Sequence, residues 1–162
     1  MSESVAAVHA IEPIRDVMAG RAALSKIYLD DDLERIRMVR TGIPARIVRT
    51  LSVELDLPKE AVYGLLGVTR ATATRLSKSG KNLGSSATER AVFIGGLVKA
   101  VENMLPEDAD AQSFDAARWV ARWLEEPQPA LHGETPASFL DTADGRRLVR
   151  KLLGQMETGA YA

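Results

Sequence analysis

Apolar positions in this chain recur every three to four residues in short runs, each closed by glycine, proline or a hydroxyl residue, which is the pattern of short amphipathic helices. Ile11, Ile14, Val17 and Met18 form a first run ending at Gly20, and Leu33, Ile36 and Val39 a second ending at Thr41-Gly42. Pro44 is expected to open a third helix with Ile47, Val48, Leu51 and Leu55 as its buried stripe. Pro58 opens a fourth with Ala61, Val62, Leu65 and Leu66 facing inward, at a position where the missing N–H costs nothing. Gly67 ends it, and Thr69 caps a fifth helix that runs from Arg70 to Leu76. Ser79-Gly80-Lys81-Asn82 breaks the pattern before a longer helix, started by Ser85 or Ser86, that carries Ala91, Ile94, Val98, Val101 and Leu105. Gly95-Gly96 within it costs about 1 kcal/mol each relative to alanine; either a close helix crossing or simple tolerance accounts for the pair.

Pro106-Glu107-Asp108-Ala109-Asp110 is acidic and without apolar period, so it marks the best domain boundary. Beyond it, Ser113 is expected to cap a helix through Leu124 in which Phe114, Ala117, Ala121 and Leu124 define one face and Trp119 and Trp123 nearly the opposite one. A helix apolar on two sides needs two covers. Either the C-terminal helix covers the Trp side, or some of that surface is left for a partner. Pro127, Pro129, Gly133 and Pro136 make a shaped connector rather than a floppy tail. Asp141 or Thr142 caps, and Asp144-Gly145 reads as a turn before a short helix with Leu148, Val149, Leu152, Leu153 and Met156 on one face; Gly159-Ala160-Tyr161-Ala162 then carries no charge beyond a terminal carboxylate. This predicts a mainly α chain with three regions: a mobile N-terminus and short helix over 1–30, a helix-turn-helix domain over 31–106, and a small, mostly helical domain over 107–162.

Composition narrows the chemistry. The 162 residues with 46% apolar content supply a modest core, and a net charge of -1 excludes a uniformly basic coat. No cysteine is present, which removes disulfides, thiolate nucleophiles and Cys-ligated zinc and is compatible with a reducing cytoplasm. The start of the chain lacks a signal-peptide pattern, and no apolar run is long enough to span a bilayer. His9 and His132 have no nucleophile or metal-ligand spacing beside them, and no Gly-rich phosphate loop occurs. A non-enzymatic, cofactor-free and metal-free protein of the cytoplasm, with no membrane partner, is the expectation.

Residues 58–77 have the form of a helix-turn-helix whose second helix is polar and basic outside. Five cations against Glu60 between Lys59 and Lys81 make this stretch locally +4. Thr69, Thr72 and Ala73 are small enough to let the helix approach base edges, Arg70 or Arg75 can meet a guanine, and Lys78 and Lys81 suit phosphates. A helical hairpin with a solvated basic face is the bland alternative. DNA binding by so small a unit calls for a two-fold homodimer over half-sites about 34 Å apart. The long helix from Ser86 to Leu105 is the expected dimer element, with an intramolecular core as its competitor.

The tail is the most specific part. Ala121-Arg122-Trp123-Leu124, Pro127-Gln128-Pro129-Ala130-Leu131-His132-Gly133, Thr135-Pro136-Ala137-Ser138-Phe139-Leu140, and Gly145 before Leu148-Val149 and Leu152 resemble the toxin-binding domain of the Xre/ParS/MbcA antitoxins, partners of RES-domain toxins. The likeness extends upstream through Val39-Arg40-Thr41-Gly42-Ile43-Pro44 and the hairpin to Leu83 and Glu89-Arg90. It implies an Xre-like DNA-binding domain that binds operator DNA as a dimer and autoregulates transcription. It also implies a C-terminal domain that blocks the active site of an NAD-consuming toxin. The blocking element would be Gly154 to Ala162, with Met156, Gly159, Tyr161 and the terminal carboxylate of Ala162 as contacts, Trp119 and Trp123 as further partner-facing residues, and Arg146, Arg147, Arg150 and Lys151 meeting an acidic rim. A conventional helix-turn-helix regulator with a ligand-sensing or dimerising C-terminal domain is the alternative.

Overall fold

In the computed structural model, residues 12–20, 22–107 and 113–159 are described. His9, Ile11, the acidic boundary at Asp108 and Asp110, Tyr161 and Ala162 lie outside them. Helix α1 (12–18) buries Ile14 and Val17. A 3-10 turn, Leu24–Ile27, leads to α2 (Asp32–Thr41), α3 (Ile47–Glu54), α4 (Lys59–Leu66), α5 (Arg70–Lys78) and the long α6 (Ser85–Met104). The second part comprises α7 (Ala116–Glu125), two 3-10 turns, Pro129–Leu131 and Pro136–Phe139, and α8 (Ala143–Glu157).

Helix α6 is the hub because its apolar residues surround it. Ala87, Ala91, Val92, Ile94, Leu97, Val98 and Val101 are all buried, and α2, α4, α7, α8 and the first 3-10 turn pack on it. The glycine pair makes this possible. A Cβ on Gly95 would stand 2.7 Å from Ile27 Cγ1, and one on Gly96 2.5 Å from the Tyr28 ring, so Leu24–Ile27 crosses α6 closely there. The close-crossing explanation of the pair therefore holds. The expectation that α6 is the dimer element does not: the chain's own N-terminal turn and second half cover the faces that a partner would need.

Several helix starts differ from the sequence expectation for local reasons. Pro44 forms an isolated bridge with Asn82 rather than the first turn of α3, which begins at Ile47; Leu83 N donates to Ile43 O at 2.8 Å and Ala45 N to Lys81 O at 3.0 Å. The residues after α5 are thereby stitched to the turn before α3. Asp115, not Ser113, caps α7, its carboxylate accepting from Arg118 N at 3.0 Å. Asp144-Gly145 lies in the first turn of α8 and not in a preceding turn, because Thr142 caps one residue upstream by accepting from Gly145 N at 3.0 Å. The stripe that marked α2 points outward: Leu33 and Ile36 are 62% and 45% exposed, and Met38 is the buried residue.

One hydrophobic cluster runs from Ile14 through Ile94 to Leu153, so both halves of the chain share a core. Polar ties reinforce the junction. The Arg146 guanidinium on α8 reaches Glu89 on α6 at 2.8 Å and donates to Leu140 O at 2.8 Å, and Arg150 donates to Gly96 O at 2.7 Å. No helix among the described residues is long and apolar enough to cross a membrane.

Candidate functional site

Two surfaces carry the residues singled out by sequence, and each is built from short helices with defined caps. The first is the α4–α5 unit. Gly67 takes φ +66° at the end of α4, and Val68 N donates to Tyr63 O at 3.1 Å, a left-handed helix stop that reverses the chain tightly. Arg90 of α6 lies against this turn, with its Nη1 2.6 Å from where a Gly67 Cβ would sit. A side chain there would have to push the Arg90 guanidinium aside and would sit in a left-handed backbone that favours glycine. Thr69 then caps α5 by accepting from Thr72 N at 3.2 Å.

The phase of α5 decides what it can present. Ala73 is 3% exposed and Leu76 partly buried, so the inward face holds the helix to the body. Arg70, Ala71, Thr74, Arg75 and Lys78 are exposed on the opposite side, and Lys81 just beyond the helix is exposed too. Ala73 is therefore corrected from a base-facing residue to a core residue. Thr72 is half-buried, and Thr69 and Thr72 share a capping bond, their hydroxyls 3.0 Å apart. The outward small residues are instead Ala71 and Thr74, which sequence reasoning missed; small side chains ran through Ala71 to Thr74 without a break, so periodicity gave no phase. Arg70 sits 3.8 Å from Glu60 in an exposed, loose pair.

Tertiary packing adds a cation, Arg49, that sequence reasoning left out of this surface. A groove of about 240 Å³ between α3, α4 and α5 is lined by Arg49, Lys59, Tyr63, Thr74, Ser77 and Lys78. Arg49 lies well before α5 in the sequence and reaches the same surface only because α3 packs against α4. Positive charge thus continues from α5 onto the body, as a surface that tracks a phosphate backbone requires.

The second surface is the end of the chain. The connector is shaped by short-range bonds: Gln128 N donates to Glu134 O and Gly133 N to Gln128 O, each at 3.0 Å, around a left-handed His132 (φ 56°) and Gly133 (φ 87°). Leu131 and Leu140 anchor it in the core. Helix α7 lies between α6 and the 3-10 turn Pro136–Phe139. The two indoles stack with centroids 6.0 Å apart and planes 10° apart, but they differ in exposure. Trp123 is 3% exposed, so it is a core residue rather than a partner-facing one; Trp119 is half-buried and keeps an accessible edge.

On α8, Arg146 is also corrected from rim to core, being 9% exposed and bonded as above. Arg147 pairs with Asp144. The Arg150 guanidinium is engaged by Gly96 O and lies 5.8 Å from the Tyr28 ring centre, which ties it to the body. Gly154 and Met156 are half-buried near the end of α8, and Gly159 (φ +68°) is exposed with open space around it. Tyr161 and Ala162 lie outside the described residues.

The comparisons with known proteins fall on these two surfaces. Residues 34–96 match the antitoxin Xre-like helix-turn-helix domain, and residues 107–159 match the antitoxin Xre/MbcA/ParS C-terminal toxin-binding domain. The chain is also 29% identical over 140 residues to the Prs ADP-ribosylating antitoxin of Sphingobium sp. (strain YBL2), a match covering 86% of this chain and 88% of that protein. With an Xre-like helix-turn-helix followed by a toxin-binding segment packed on the same central helix, the chain belongs to the Xre/MbcA/ParS antitoxins, the neutralising halves of toxin–antitoxin systems.

Proposed function

We propose that this antitoxin neutralises a RES-domain, NAD-consuming toxin by laying residues 154–162 into the toxin's active-site entrance, and that it binds its own operator through α5 to repress transcription. The carrying observation is how α8 is held. Thr142 caps its start, Arg146 is buried against Glu89, and Leu152 and Leu153 are in the core, while cover thins toward Gly154, Met156 and Gly159. A rigid base followed by an open end lowers the ordering cost of a blocking segment, which needs shape and a few anchors rather than reactive groups. The name of the Sphingobium relative links that protein to ADP-ribosylation, chemistry that draws on NAD, and this supports an NAD-consuming partner here. Trp119, at the edge of the α7 stack, is a further toxin contact in this reading. DNA is met by Arg70, Thr74, Arg75 and Lys78, with Arg49, Lys59 and Lys81 on phosphates and a homodimer over two half-sites. The setting is the cytoplasm, where toxin, NAD and operator coexist.

Deleting residues 154–162 should abolish protection of cells expressing the toxin while operator affinity stays unchanged. Arg75→Ala should weaken operator binding by about 1–3 kcal/mol and leave co-purification with the toxin intact. Full protection by the truncated chain would sink the blocking role, and unchanged operator affinity and salt dependence in Arg75→Ala would sink the recognition helix.

A further inference from the structure

Which bases α5 selects follows from what its outward face is made of. Ala73, buried, and Leu76, partly buried, fix the rotation of the helix, so the middle of its exposed side falls on Ala71, Thr74 and Arg75. These line a shallow, open hollow with Arg70 and Lys78 toward its ends, and although three of the five are cations its surface is mostly carbon. The charged heads therefore extend past the hollow, and the Ala71 methyl and the Thr74 side-chain carbons remain as its floor. The helix itself does not call for this floor. Threonine is among the poorer helix formers, and an exposed position at the centre of a nine-residue helix is better served by a long polar residue.

The two guanidiniums beside the hollow differ in what they are free to do. Arg70 faces Glu60 at 3.8 Å, whereas Arg75 has no acidic partner among the described residues. Arg75 is thus the side chain left to take a guanine in bidentate geometry. The apolar group that a base edge presents in the major groove is the 5-methyl of a pyrimidine, and alanine and threonine methyls are the side-chain groups that suit it. Side chains three or four apart on a helix lie about 5–6 Å from one another. That is between one and two base-pair steps of about 3.4 Å, so the floor and the guanidinium fall on adjoining base pairs. We infer that Ala71 and Thr74 form a contact for the 5-methyl group of a pyrimidine, thymine or 5-methylcytosine, next to the guanine that Arg75 takes. The inference rests on the operator-binding reading and adds to it what the helix selects.

The test starts from the duplex that the full chain enriches from a random-sequence pool, with each thymine then replaced singly by uracil, which lacks only the methyl. One replacement beside a guanine should weaken binding by about fourfold, the worth of one buried methyl group. Thr74→Ser, which keeps the hydroxyl, should weaken binding to the thymine duplex by a similar factor and erase most of the difference between thymine and uracil. Thr74→Val, which keeps the methyl, should preserve that difference. Neither variant should alter the salt dependence of binding, which Lys78→Ala should reduce, nor the melting temperature, since Thr74 is exposed. Replacing the contacted T·A pair by C·G, and then by 5-methylcytosine·G, separates the two sources of the methyl. Recovery on methylation shows that either pyrimidine serves, and no recovery assigns the contact to thymine. A specific duplex that binds equally well with uracil at every position, or a uracil penalty that Thr74→Ser leaves at full size, overturns the methyl contact and leaves the operator reading standing. Enrichment of no duplex over bulk DNA overturns the operator reading, and this inference with it.

Discussion

Glu54 shows what a single side chain does at the meeting point of several elements. Its carboxylate accepts from Leu24 N at 2.8 Å, fastening the N-terminal 3-10 turn to the end of α3. Partial burial pushes its pKa above the ordinary 4.5, and the nearby carboxylates of Asp115 and Glu102 push the same way, against the bond from Leu24. A raised value means that the folded chain keeps a proton over a pH range in which the unfolded chain has lost it. Stability from this group therefore falls as pH climbs from 4.5 through the raised value. Glu54→Gln keeps an acceptor for Leu24 N and removes the ionisation. Its melting temperature should gain on the wild type between pH 4 and pH 7, the opposite trend being the contrary result. Ala73 and Trp123 carry the matching lesson at this scale. Their residue types suggested contact with DNA and with toxin, and their burial assigns both to the core.

Among the elements, caps and turns were the most legible because their chemistry is local. Thr69 and Thr142 cap the helices expected of them, and Gly67 stops α4 with the left-handed geometry that its type favours. What periodicity leaves open is which side of a helix another element will cover. In α2 the apolar stripe faces solvent, and in α5 an unbroken run of small residues hid the outward phase. Gly145 belongs to this scale, since its role is in how two elements meet. A Cβ there would overlap the Phe139 carbonyl oxygen, a backbone atom with little room to yield, so the 3-10 turn Pro136–Phe139 sits directly on the first turn of α8. Gly145→Ala should destabilise the chain by about 1–3 kcal/mol in chemical denaturation, although alanine is the better helix former. A neutral or stabilising effect would mean that the turn can move away freely.

In the whole molecule, the two family segments are joined through one core and not only through the acidic stretch between them. Arg146 is the polar part of that joint, bonded to Leu140 O and to a half-exposed Glu89. Arg146→Ala should cost about 1–3 kcal/mol, at the modest end for a buried guanidinium because its partner is partly solvated. It should also lower toxin protection and thermal stability together, since α8 loses its fastening to α6; unfolding at the wild-type midpoint with full protection would contradict this. The sequence by itself determined the helix content, most helix ends, the helix-turn-helix and the family of the tail, because propensity, capping and turn chemistry act over a few neighbouring residues. Only the tertiary structure decided the rest. It brought Arg49 beside α5, enclosed α6 through its glycine pair, drew Arg146 and Trp123 inward and left Leu33 and Ile36 in water. Those outcomes depend on which surfaces meet across tens of residues, where the gain from burying one face is weighed against every other way of covering it.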